Sequence, residues 1–148
     1  MAVVVDANLL VVMVSGDVRG PLASGQVEAW ITTGEEIHAP ELLPYELASA
    51  LTRLVAARAM SQRQVRTAWN ELSELPVVQH PLADDLPRVV DIALRLKRQS
   101  AYDAAYIALA QDLRADLWTF DGPLARNALA VGFPVRLLTG PTPQTRLT

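Results

Sequence analysis

Apolar residues follow two alternating rhythms along this chain: short unbroken runs rich in Val, Ile and Leu, and longer segments with apolar positions every three or four residues. AVVV at residues 2–5 is a β-branched run ending at Asp6, and ANLLVVMV behind it carries Asn8 near the start of a helix. After SGDVRGP, the segment LASGQVEAWITTG predicts a helix leading into EEIHAP, a short strand closed by Pro40. PELLPYELASALTRLVAARAM sets Leu43, Leu47, Leu51, Leu54 and Val55 at helical spacing. SQRQVRTAWNELSEL repeats the pattern, so the two segments form a helical hairpin. PVVQHPL predicts a third strand and ADDLPRVVDIALRLKRQ a helix. SAYDAAYIALAQDLR is a further helix, apolar nearly all round and therefore largely buried. ADLWTF is a fourth strand, DGPLARNALAVG a helix stopped by Gly132, and VRLL a last strand. Strands alternating with helices predict an α/β fold, a parallel sheet of four to five strands covered by helices on both faces.

With 148 residues and 51% apolar content, the chain is expected to form one domain over residues 1–138, followed by a polar, Pro-containing tail at 139–148. No apolar stretch approaches the roughly 20 residues that cross a bilayer. No basic region precedes the first apolar run, which Asp6 interrupts, so the expectation is a soluble cytoplasmic protein without membrane attachment. The absence of cysteine removes disulfides and thiolate ligands together. Carboxylates, His38 and His80 remain as metal ligands, and any metal is expected to be a hard one. A net charge of −3 argues against coating nucleic acid through bulk positive charge, but not against a nuclease.

Asp6 is the one formal charge in AVVVDANLLVVMV, and an unpartnered ion in such surroundings costs several kcal/mol. Ligands of parallel sheets bind beyond the carboxyl ends of the strands. Asp6 follows the first strand there, Asp121 follows the fourth in LWTFDGPL, and Asp103 heads the buried helix in QSAYDAAYIALA. Glu46, in LLPYELASAL, falls at the rim of its helix's apolar stripe, on a count of about 100° per residue. Singly, each acid has a plain structural account. Asp6 and Asp121 can cap the helices that follow them, Ser100 with Asp103 fits a capping box, and Glu46 can be an ordinary half-exposed helix residue. Jointly, four converging acids repel one another unless a cation neutralises them. An oxygen-only ligand set suits Mg²⁺ or Mn²⁺, which can orient a water and stabilise charge on a phosphodiester under in-line attack.

In the order VVVDANLL, ELLPYELASAL, SAYDAAYIALA, WTFDGPLARNA, the chain resembles the PIN-domain ribonucleases over nearly its whole length, most closely the small VapC-type toxins of toxin–antitoxin pairs. The resemblance implies a PIN-like three-layer fold and Asp6, Glu46, Asp103 and Asp121 as the catalytic, metal-binding cluster, with Asn8 and Thr119 as supporting polar neighbours. It further implies Mg²⁺ or Mn²⁺ as cofactor, RNA as substrate, a homodimer, and neutralisation by a cognate antitoxin. The link LKRQSAYD ahead of Asp103 is shorter than the family pattern. The alternatives are a PIN-domain RNA-processing nuclease without an antitoxin and a catalytically silent nuclease-like binding protein.

The remaining charged and aromatic residues add less. RLKRQ, with Arg95, Lys97 and Arg98, reads either as a solvated face or as a guide for RNA phosphates. Arg126, one turn into the helix after Asp121, reads as a phosphate contact or as an ion-pair partner of a cluster acid. Trp30, Trp69 and Trp118 read as core or interface residues, and His38 and His80, without a metal-ligand spacing, as structural. Neither a Gly-rich phosphate loop nor a nucleophile elbow is present, which removes support for nucleotide hydrolysis and acyl transfer.

Overall fold

The run AVVV forms β1 (Ala2–Val5), and Val3, Val4 and Val5 are all buried, as a strand covered on both faces requires. Around it lie β2 (Glu36–Pro40), β3 (Val77–His80), β4 (Leu117–Thr119) and β5 (Val135–Leu137). They form one sheet in the order β3-β2-β1-β4-β5, with every pairing parallel. From β1 the chain steps outward through β2 to β3, then crosses back to β4 and continues to β5. The order therefore reverses between β1 and β4, where the carboxyl ends of the strands open a crevice. The computed structural model describes residues 1–81, 84–98 and 100–140, so the expected tail from residue 141 onward lies outside the described residues.

Helices α1 (Ala7–Val14), α2 (Gly20–Thr32), α3 (Leu43–Ala56), α4 (Gln62–Ser73), α5 (Leu86–Arg95), α6 (Tyr102–Leu113) and α7 (Gly122–Ala130) connect the strands. Helix α6 is the Ala-rich segment expected to be buried, and it is: Ala104, Tyr106, Ile107, Ala108 and Ala110 are inaccessible, packed across β1, β2 and β4. Small side chains let it sit close to the sheet. Trp30 of α2 meets Trp118 of β4 with ring centroids 5.7 Å apart. The α3–α4 hairpin carries a small core of its own, Leu51, Met60 and Ala68, beside the main one. No described helix is long and apolar enough to cross a membrane.

Helix α5 ends at Arg95, earlier than the helical pattern through Gln99 predicts. Lys97 turns into the left-handed region at φ 59°, and its N–H and that of Arg98 close back on the carbonyls of Leu94 and Ala93, each at 3.0 Å. This is a Schellman stop built on lysine instead of glycine. Asn127 of α7 donates to the Leu96 carbonyl at 3.2 Å and ties the stop to the neighbouring helix. The backbone of Arg98 is thereby fixed beside the crevice.

Candidate active site

The two strands flanking the reversal deliver the first carboxylate and its support. Asp6 follows β1 directly, and its Oδ1 accepts from the Leu9 N–H at 2.9 Å, capping α1. Its Oδ2 accepts from the hydroxyl of Thr119, the wholly buried last residue of β4. The same hydroxyl accepts from the Asp121 N–H at 3.0 Å, so one threonine joins two of the expected acids. Burial pushes the Asp6 carboxyl up to about 6, against the pull of the bonds from Thr119 and Leu9, and the charges of Asp103 and Glu46 add to the rise. Capping and site geometry are thus compatible in one residue.

Asp121 also caps its helix, accepting from the Leu124 N–H at 3.0 Å, which leaves Oδ2 to face the crevice. Asp103 does not cap. Helix α6 begins after Ala101 without a side-chain cap, and Ser100 Oγ accepts instead from Tyr102 N–H at 3.4 Å, so the predicted Ser100–Asp103 capping box is not formed. Burial raises the Asp103 carboxyl, Arg98 opposes the rise, and the charge of Asp121 adds to it. Glu46, in the first turn of α3, is raised chiefly by burial and then by Asp103, with the Tyr106 hydroxyl opposing. All four acids therefore lie within electrostatic reach of at least one other.

Two residues take roles that the pattern along the chain did not reveal. Tyr106 lies three residues after Asp103, on the same helical face, with its side chain inaccessible. Its phenol is pushed far up, by burial first, then by Glu46, Asp6 and Asp103, so it keeps its proton. The hydroxyl faces Glu46, yet neither it nor the buried Glu46 Oε1 makes a hydrogen bond of regular geometry. Arg98 reaches into the cluster: one guanidinium nitrogen lies 3.3 Å from Asp121 Oδ2 and another 3.9 Å from Asp103 Oδ2.

The other expected contributors sit further out. Asn8 is exposed and forms no hydrogen bond with the acids among the described residues. Arg126 is exposed, with its guanidinium folded back over Gly122. A Cβ at Gly122 would stand 3.1 Å from its Nη1, close enough that the arginine side chain would have to give by a few tenths of an ångström. Arg95 lies over the Phe133 ring at 5.0 Å, and Lys97 is exposed. His38, in the middle of β2, and His80, the last residue of β3, meet through a ring-nitrogen contact of 2.7 Å.

Carboxylate oxygens without sulfur or imidazole suit a hard divalent cation, and the orphaned Glu46 Oε1 is the kind of buried acceptor that such an ion satisfies. The donor chemistry fits Mg²⁺ or Mn²⁺. As the side chains stand, however, no group of three or more Asp, Glu or His among the described residues forms a ready-made cage. Mg²⁺ retains several waters and commonly takes only one or two carboxylates, so a loose set still serves it.

Residues 3–129 match the PIN domain family. Ribonuclease VapC9 of Mycobacterium tuberculosis is 34% identical over 113 residues, covering 76% of this chain and 86% of that protein. Ribonuclease VapC3 of Pyrobaculum aerophilum is 29% identical over 136 residues, 90% of this chain and all of that protein. Among solved structures, PAE2754 from Pyrobaculum aerophilum superposes with a TM-score of 0.62 at 23% identity, covering 86% of this chain and 79% of the other. Mycobacterium tuberculosis VapC20 does so at 0.56 and 21%, covering 88% and 95%. Both share the fold.

Proposed function

Because the chain belongs to the PIN-domain family, among its VapC-type ribonucleases, we propose that it is a metal-dependent endoribonuclease acting as the toxin of a type II toxin–antitoxin pair. The observation that supports this reading is Asp6, buried at the β1–β4 reversal and pushed up to about 6, with the charges of Asp103 and Glu46 adding to the rise. Such a site is unfavourable without a cation.

Asp6, Glu46, Asp103 and Asp121 would hold Mg²⁺ or Mn²⁺. A bound ion of this type stabilises charge on the phosphoryl oxygens and lowers the pKa of its water. The chain's own part is positioning: Thr119 fixes the Asp6 rotamer and the Asp121 backbone together, and protonated Tyr106 backs Glu46. Arg126, exposed over Gly122 beside Asp121, stands where an RNA phosphate would approach, with Arg95 and Lys97 on the flank and Arg98 already among the acids.

Partner binding belongs to the other side of α3. A groove of about 930 Å³ between α3 and α4 is lined by Tyr45, Leu51, Val55, Val65 and Trp69 among others, and Tyr45 and Trp69 are exposed there. Its shape and apolarity support docking of an antitoxin helix, and an exposed apolar surface of this kind also supports a homodimer.

Metal-stripped protein incubated with RNA is the test. Cleavage should be absent in EDTA, return with Mg²⁺ or Mn²⁺, and fall by roughly three orders of magnitude in Asp6→Asn and Asp103→Asn. Undiminished cleavage in EDTA would overturn the reading.

A further inference from the structure

We propose that Arg98 is a tethered counter-cation of the acidic cluster, held between Asp103 and Asp121 in the metal-free protein and displaced into solvent when a divalent cation enters. The inference rests on the metal-dependent reading above. It starts from one guanidinium shared by two carboxylates on different elements, Asp103 in α6 and Asp121 ahead of α7. Both contacts are loose. At 3.3 and 3.9 Å they exceed the roughly 2.7–2.9 Å of a good charge-assisted bond. The Nε, moreover, is buried with no hydrogen-bond partner. A permanent brace would be expected to close its fork on one carboxylate, with every buried donor satisfied.

The surroundings allow exchange. The side chain keeps 29% of its surface in solvent, so it can leave without repacking the core. Its backbone stays where it is, because the Lys97 stop and the Asn127 bond to Leu96 hold that turn whatever the guanidinium does. Arg98 is in this sense a positioning residue. It holds two acids near each other that would otherwise repel, at the expense of the cation that should occupy the site.

Mn²⁺ titration of metal-stripped protein, with free ion read by electron paramagnetic resonance, tests this. Arg98→Gln should bind Mn²⁺ about tenfold more tightly than the parent, the size expected for removing one nearby like charge at roughly 1.4 kcal/mol. Its melting temperature without metal should be lower, and the gap should close at saturating Mn²⁺. Binding equal to or weaker than the parent's would overturn the proposal and make Arg98 a brace that organises the ligands. If Arg98→Gln fails to fold, the parent serves: on Mg²⁺ titration the Arg98 Nε proton should become fast-exchanging in NMR spectra, and continued protection at saturation would overturn the proposal. No Mn²⁺ binding by either protein would instead remove the metal site itself, and the proposal with it.

Discussion

Asp6 is where the demands of the fold and of the chemistry diverge. Its carboxylate caps α1 and receives Thr119, yet burial lifts its pKa from 3.8 to about 6. Between about pH 4 and 6 the native chain therefore holds a proton that the unfolded chain has lost, so stability falls as pH rises through that window. Above it the loss is complete, about 3 kcal/mol in the metal-free protein. Asp6→Asn keeps a capping oxygen and removes the charge. It should abolish most of this pH dependence and melt roughly 5 °C above the metal-free parent at pH 7.5, while losing activity. Burial depresses His38 below 6.5, which has the opposite sign, so the difference between the two proteins, followed by thermal melts from pH 4 to 8, isolates Asp6. A variant that melts below the parent at pH 7.5 would mean that the carboxylate stabilises the fold even without metal. Asp6 was legible in the sequence because a charge among Val and Leu is anomalous. Tyr106 was not, since a tyrosine in an apolar helix looks like core until Glu46 is seen opposite its hydroxyl. Arg98 likewise reads as part of a basic surface run, because its partner Asp121 lies 23 residues away and on another element.

Every strand and helix of the sheet architecture could be read from the alternation of apolar runs and helical periods, because β1 is a buried apolar run and helices such as α3 and α5 are amphipathic. Helix ends were harder. Gly132 stops α7 as expected, at φ 77°, but three other helices end on basic residues in the left-handed region, Arg58, Lys97 and Arg114. Nothing in a basic residue announces a stop, which is why the pattern runs α5 on to Gln99. A side chain held left-handed costs about 1 kcal/mol more than glycine would. Arg114→Gly, just beyond α6 and clear of the crevice, should therefore raise stability by about 0.5–1 kcal/mol in urea titrations, part of the gain being offset by the freer unfolded chain. A loss of stability would show that the Arg114 side chain makes a contact worth more than its strain. At the other end of a helix, Ser61 and Gln64 form a full capping box on α4, at 3.1 and 2.8 Å. Because α4 buries only Ala68, in the small core, and Leu72, in the main one, Ser61→Ala should lower stability by about 1 kcal/mol and increase hydrogen exchange first in α4.

At the scale of the molecule, periodicity established that the sheet is parallel but not its order. The sequence of β3-β2-β1-β4-β5, and with it the crevice, is decided by which faces pack once all the helices exist. The α3–α4 groove shares no lining residue with the acids of that crevice, so a substitution in one leaves the other in place. Trp69→Glu leaves the buried Ala68 and Leu72 of α4 in place, and should preserve the fold while abolishing co-purification with a coexpressed antitoxin. Retained co-purification would put the partner elsewhere. Finally, the bond between Thr119 and Asp6 closes over 113 residues of chain. On a ribosome adding about 5–20 residues per second, the first carboxylate waits roughly 6 to 23 seconds for the threonine and the Asp121 beside it. A growing polypeptide thus holds Asp6 without its Thr119 bond during most of its own synthesis, and the two strands that flank the crevice come together only once translation has passed β4.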